Sequence, residues 1–162
     1  MEKGTRVEIA KLVICILLCQ LAGMIGSFFT RPAVPTWYAS LEKPFFTPPD
    51  WVFAPIWIIL YILMGIAAFL VWRKGWQQKP NRSALILFGI QLILNALWSF
   101  IFFGLQSPLA GFIEISILLV AILLTIQSFL QISRIAGLLL IPYFLWVALA
   151  SGLNLSIWVL NR

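Results

Sequence analysis

The chain has no histidine, only five acidic residues and only two cysteines among its 162 residues. Without histidine, the commonest haem and metal ligand is gone. The few carboxylates form no cluster, and no glycine-rich phosphate loop is present. Zinc, iron and nucleotide chemistry therefore lack a ligand set, and neither a metal site nor a required cofactor is expected. Cys15 and Cys19 lie one turn apart in an apolar run, where helical geometry closes no good disulfide. They read as buried structural thiols. Charge is scarce as well: 10% of residues are charged, against about a quarter in soluble domains.

What is present is apolar. Hydrophobic residues make up 62% of the chain, and the mean hydropathy is +1.04. Five runs, near 12–30, 51–72, 83–105, 108–132 and 136–160, each reach the roughly 20 residues that a membrane-crossing helix needs. None alternates as a barrel strand does, so the backbone must satisfy itself in helices. The expected architecture is a single all-α domain, a bundle of five transmembrane helices in a lipid bilayer. Short connections, such as Gln106-Ser107 before Pro108 and Ser133-Arg134, predict that sequential helices are antiparallel neighbours. The first run follows Lys3, Arg6 and Lys11 as a signal peptide does. It is longer than a signal h-region and no A-x-A site follows it, so it is expected to remain as a span.

The net charge of +6 is explained by topology. Lys3, Arg6, Lys11, Arg73, Lys74, Lys79, Arg82 and Arg134 fall on one side of the membrane, and Arg31, Lys43 and Arg162 on the other. The positive-inside rule puts the N-terminus in the cytoplasm if the host is a cell membrane, and nucleic-acid binding is not expected. Trp51, Trp72, Trp76 and Trp158 lie near run ends, where aromatic belts form.

The connection between the first two runs is unusual. Residues 37–57, WYASLEKPFFTPPDWVFAPIW, hold four of the nine prolines and three of the eight tryptophans. Pro44, Pro48 and Pro49 lock their own backbone angles and push the residues before them toward extended forms. A stiff aromatic lid over residues 31–50 is expected, with Trp37 and Tyr38 packed toward the bundle. Arg31 and Lys43 are its cations, placed to meet a ligand carboxylate or simply solvated.

Depth supplies the functional signal. At about 1.5 Å per residue, Trp57 lies about 9 Å below the loop face, Asn95 and Trp98 about 13 and 9 Å, Glu114 about 9 Å and Asn154 about 9 Å. Four helices thus set their unusual residues at one level, with no lysine or arginine there. Asparagines at that level tie helices together or meet a ligand. A carboxylate at Glu114's depth costs about 2.5 kcal/mol or more if charged, so it must be protonated, paired or facing a wet cavity. Gln91, Asn95, Trp98 and Phe102 share one helical face; Trp57, Tyr61 and Gly65 share another. Tyr143, Trp146, Ala150 and Asn154 form a third, above a kink expected at Pro142. An aromatic pocket with few polar anchors suits a flat hydrophobic ligand.

The segments WYASLEKPFFTPP (37–49), WVFAPIW (51–57), LYILMG (60–65), QLILNALWSFIFFG (91–104), the acidic Glu114 and LLIPYFLWVALASGLN (139–154) resemble the translocator protein family. That family is also called tryptophan-rich sensory protein or peripheral-type benzodiazepine receptor. The match runs from about residue 20 to the C-terminus, in order and with matching spacing. The resemblance implies a five-helix bundle, often a homodimer, that binds tetrapyrroles such as protoporphyrin IX. In animal members it implies cholesterol and synthetic drug ligands; in bacterial members, tetrapyrrole regulation and stress, and for some, degradation of porphyrin in light. Its pocket residues carry over to Tyr38, Trp57, Asn95, Glu114, Trp146 and Ala150. Members have aspartate where Glu114 stands, one methylene shorter. The family's C-terminal sterol pattern needs a tyrosine, which ASGLNLSIWVLNR lacks.

Three classes of function are compatible with these residues. The favoured one is a membrane receptor that binds porphyrin as ligand or substrate. The second is an enzyme with Trp57 and Trp146 as a redox pair beside a photoexcited porphyrin, with no acid–base constellation. The third is a transporter of tetrapyrroles, lipids or sterols, which usually shows repeats and broken helices near the midplane.

Overall fold

In the computed structural model, which describes residues 2–162 and side chains from Gly4 onward, the five apolar runs are helical spans. The cationic side chain of Lys3 lies outside the described residues. Helix α1 covers Glu2–Ala33, α2 Asp50–Trp72, α3 Lys79–Ser99, α4 Pro108–Ile132, α5 Arg134–Leu139 and α6 Ile141–Leu160. Two π-helical turns extend the set, Val34–Tyr38 after α1 and Phe100–Gly104 after α3. The spans are all-α and apolar, as an integral membrane protein requires.

Two boundaries differ from expectation. The first helix starts well before residue 12, because its polar first turns carry their own support. Lys11 Nζ donates to Glu8 Oε1 at 2.8 Å, and Arg73 at the end of α2 lies 3.8 Å from the other Glu8 oxygen. Its far end runs past Pro32 and Pro35 to Tyr38, so the connecting loop is 39–49 rather than 31–50. Prolines remove amide donors without forcing an end here. The helix widens into a π turn, and Thr36 Oγ1 donates to the Pro32 carbonyl at 2.7 Å.

The fifth span divides as Pro142 suggests. It breaks at Leu140, and Pro142 takes the first turn of α6, where its missing amide costs nothing. Ser107 and Ser133 start α4 and α5 by accepting from the amides of Ala110 and Ala136, each at 3.4 Å. Gly75, at φ 111°, makes the turn between α2 and α3.

The expected chain of sequential neighbours holds only in part. α1 packs against both α2 and α3, which touch each other only lightly. α4 joins α3 to α5 and α6, and α2 closes the ring against α5. Round the bundle the order is α1, α2, the α5–α6 pair, α4, α3. The link 73–78 is long enough for α3 to leave α2, whereas 105–107 and Ser133 are not. The core runs through Met64, Ala67, Val71, Leu118, Ile122, Phe129 and Ala136. Apolar side chains such as Leu17, Phe28, Ile93, Ile117 and Leu145 point outward, as lipid solvent permits.

Candidate functional site

Three helices, α2, α3 and α6, converge in the loop-side half on a buried hydrogen-bonded chain. Tyr61 of α2 donates its hydroxyl to Asn95 Oδ1 at 2.5 Å. Asn95 Nδ2 of α3 donates to the Tyr143 hydroxyl of α6 at 3.1 Å. Tyr143 in turn donates to Gln91 Oε1 at 2.8 Å. Tyr143 has no exposed surface, so its two partners are fixed. Gln91 Nε2, at the end of the chain, has no partner. Polar links of this kind tie membrane helices together, since lipid offers no alternative partner.

Aromatic rings lie on this chain. Trp57 stacks on Tyr61 at 5.3 Å and 26°, and meets Tyr143 edge-on at 6.2 Å. One turn earlier on α2, Phe53 meets Trp146 edge-on at 5.7 Å. α2 and α6 therefore face each other in this half across side-chain rings. Trp57 and Trp146 each reach the opposite helix without a ring contact to one another among the described pairs. Trp57, Trp146 and Ala150 are all half-buried against the core.

A second group sits beside the first. The Trp98 indole N–H donates to Asn154 Oδ1 at 3.1 Å, and Asn154 Nδ2 donates to the Pro108 carbonyl at 2.7 Å. That pair joins α3, α6 and the start of α4. Gly111 makes the approach, since a Cβ there would lie 2.9 Å from Phe102 and 3.0 Å from Asn154 Oδ1. Trp98 stacks on Phe102 at 5.3 Å and 15°. Trp37 meets Phe102 at 5.4 Å and Tyr38 meets Phe103 at 5.6 Å, so both pack toward the bundle. They do so from the helical extension of α1, not from the loop. Tyr38 belongs to this second group rather than to the rings around Trp57; Trp98 touches both.

Glu114 stands apart. It is 6% exposed, and neither carboxyl oxygen has a hydrogen-bond partner. No cation pairs with it among the described residues, so both oxygens are left without a partner. Of the loop cations, Lys43 Nζ lies 4.6 Å over the Tyr38 ring, a cation–π distance, and Arg31 is exposed on α1.

Tyr143 and Gln91, expected only as members of the faces that carry Trp146 and Asn95, are the middle and end of the polar chain. Asn161 escaped the sequence reading, which had no signal for it. Its Oδ1 accepts from the Glu42 amide at 2.9 Å, and its Nδ2 donates back to the Glu42 carbonyl at 2.9 Å. The end of α6 thus clamps the middle of the loop. A turn at Pro44–Thr47, closed by Thr47 amide and hydroxyl on the Pro44 carbonyl at 3.1 and 2.7 Å, stiffens the rest.

A sequence model of the TspO/MBR family matches residues 15–159. The Tryptophan-rich protein TspO of Archaeoglobus fulgidus is 49% identical over 154 residues, covering 95% of this chain and 99% of that protein. The translocator protein of Bos taurus is 38% identical, over 90% of this chain and 87% of its own length. Protein CrtK of Rhodobacter capsulatus is 36% identical, over 88% of each.

Proposed function

Because the chain belongs to the TspO/MBR family, and is a multi-pass integral membrane protein, we propose that it is a membrane receptor that binds porphyrins such as protoporphyrin IX. Its role would lie in tetrapyrrole regulation or stress response, with light- and oxygen-dependent degradation of the bound porphyrin as a second activity. The N-terminus is assigned to the cytoplasm and the host membrane to the cell membrane, on the charge asymmetry. The working form is assigned as a homodimer, on the family resemblance.

One observation carries the ligand assignment. Glu114 is a buried carboxyl with two unpartnered oxygens, in the same half of the bundle as half-buried Trp57, Trp146 and Ala150. A porphyrin is a broad apolar plane with pyrrole N–H donors at its centre. Ring surfaces suit the plane, and open acceptors suit the donors. Lys43 and Arg31 are the cations near the loop face that would suit peripheral carboxylates. For the light reaction, indole is readily oxidised and a photoexcited porphyrin is a strong one-electron oxidant, with oxygen as co-reactant. The transporter alternative gains nothing from the break at Leu140, which lies about 9 Å from the basic end rather than at the midplane.

Titration of protoporphyrin IX in light and in dark tests both parts. Tryptophan quenching in the dark reports binding, and new absorbance bands in light report chemistry. Trp57→Phe and Trp146→Phe are expected to keep binding within about tenfold, or about 1.4 kcal/mol, and to lose most light-driven degradation. Absence of quenching overturns the receptor assignment. Native-rate degradation by both variants removes the redox pair and leaves binding standing.

A further inference from the structure

The other end of the bundle carries a groove that the porphyrin assignment does not use. It lies between the start of α3 and the end of α4, with a volume of about 640 Å³. Its polar wall is Lys74, Gln78, Asn81, Ser83, Ser128 and Gln131. Its inner wall is apolar, formed by Ala84, Leu87 and Ile132. Ser83 to Leu87 lie about 6 to 12 Å into α3, so the groove descends from the interfacial layer toward the acyl chains. A polar mouth above an apolar floor at this depth matches the outline of a phospholipid.

The charge of the groove is uncompensated. Elsewhere on this face Glu8 pairs with Lys11 and lies 3.8 Å from Arg73. Lys74 makes no ion pair among the described residues, and neither do Lys79, Arg82 and Arg134 close by in the chain. No acidic residue lines the groove. Lys74 is also held in place. Its amide donates to the Val71 carbonyl at 3.1 Å, and its own carbonyl accepts from Gln78 Nε2 at 3.1 Å. Asn81, 2% exposed, fastens the same turn by donating to the Gly75 carbonyl at 2.9 Å. A fixed turn that sets one unpaired lysine above serine hydroxyls and a glutamine amide has the chemistry of a phosphate-ester site.

We propose that this groove binds the phosphate headgroup of an anionic phospholipid from the leaflet on the basic face. The lysine meets the phosphate, Ser83 and Gln131 meet glycerol and ester oxygens, and a chain lies along Leu87; the Ser128 hydroxyl, which donates to the Leu124 carbonyl at 2.9 Å, borders the mouth. A soluble phosphate ester shares the headgroup chemistry and differs only in lacking the chain.

Full-length protein in vesicles of equal parts phosphatidylcholine and phosphatidylglycerol, extracted into mild detergent, allows the retained lipids to be counted by native mass spectrometry. Preferential retention of phosphatidylglycerol is expected. Lys74→Gln should lower it about fivefold, the weight of one basic side chain at a membrane surface. Ser128→Leu, which fills the mouth, should lower it without changing charge. Lys11→Gln, on the same face but paired with Glu8, should leave it unchanged. Displacement of the lipid by inorganic phosphate would keep the phosphate site and assign it to a soluble source. Equal retention of the two lipids, or an equal loss from Lys11→Gln and Lys74→Gln, overturns the proposal.

Discussion

In the basic half of the bundle, α1 and α2 meet where a Cβ on Gly65 would lie 2.6 Å from the Ile16 Cα. In the loop-side half, α2 and α6 face each other across Phe53, Trp57, Tyr143 and Trp146. The first contact is backbone against side-chain-free backbone, and nothing can enter it. The second consists of rings around a polar chain, and a flat ligand can trade places with ring contacts at little loss. Lipid offers no hydrophobic drive to associate helices, so close approach and hydrogen bonds must hold the bundle. The α1–α2 contact uses the first and admits no ligand between those two helices; the α2–α6 contact relies on the second and leaves ring surface available.

Three substitutions sharpen or break that contrast. Gly65→Leu should have the largest effect on stability. It drives a side chain into the α1 backbone, where overpacking costs about 1–3 kcal/mol and the upper end is expected. Thermal unfolding in detergent and the yield of monodisperse protein are the readouts. Native-like stability would show that the close approach is dispensable and erase the contrast. Tyr143→Phe should come next, since it leaves Asn95 Nδ2 and Gln91 Oε1 buried without partners. A loss of about 1–2 kcal/mol is expected, with part regained on adding Gln91→Leu. If the single change is silent, the polar chain does not hold this half together.

Asn161→Ala should be the mildest for stability, under about 1 kcal/mol, because the bonds it removes are exposed. Its effect should appear in kinetics. Freeing the loop at Glu42 should speed porphyrin entry and exit by stopped-flow quenching, with helical content intact. Unchanged rates would make the loop 39–49 a connector.

Some of this organisation was legible in the chain. A spanning run is declared by its own residues, and a fixed rise per residue sets the level of Trp57, Asn95, Trp98, Glu114 and Asn154. The inward faces of Gln91, Asn95 and Phe102 follow from their spacing, and all three are buried. The loop was drawn too long because the apolar run fades near residue 30, whereas the helix continues through Pro32 and Pro35 by widening into a π turn. Asn161 was illegible because its partner is 119 residues away and is backbone, which carries no sequence signal.

The sequence by itself determined the solvent, the number of spans and the depth of each unusual residue, because transfer free energy and helical rise are local properties. Only the tertiary structure decided which neighbours those residues have. The spans are apolar nearly all round, so no polar face tells a helix how to turn or which helix to meet. Ring order and rotation are set where Gly65, Gly111 and Gly137 allow close approach. Those contacts give Asn95 two tyrosine partners, give Trp98 to Asn154, and leave Glu114 with none.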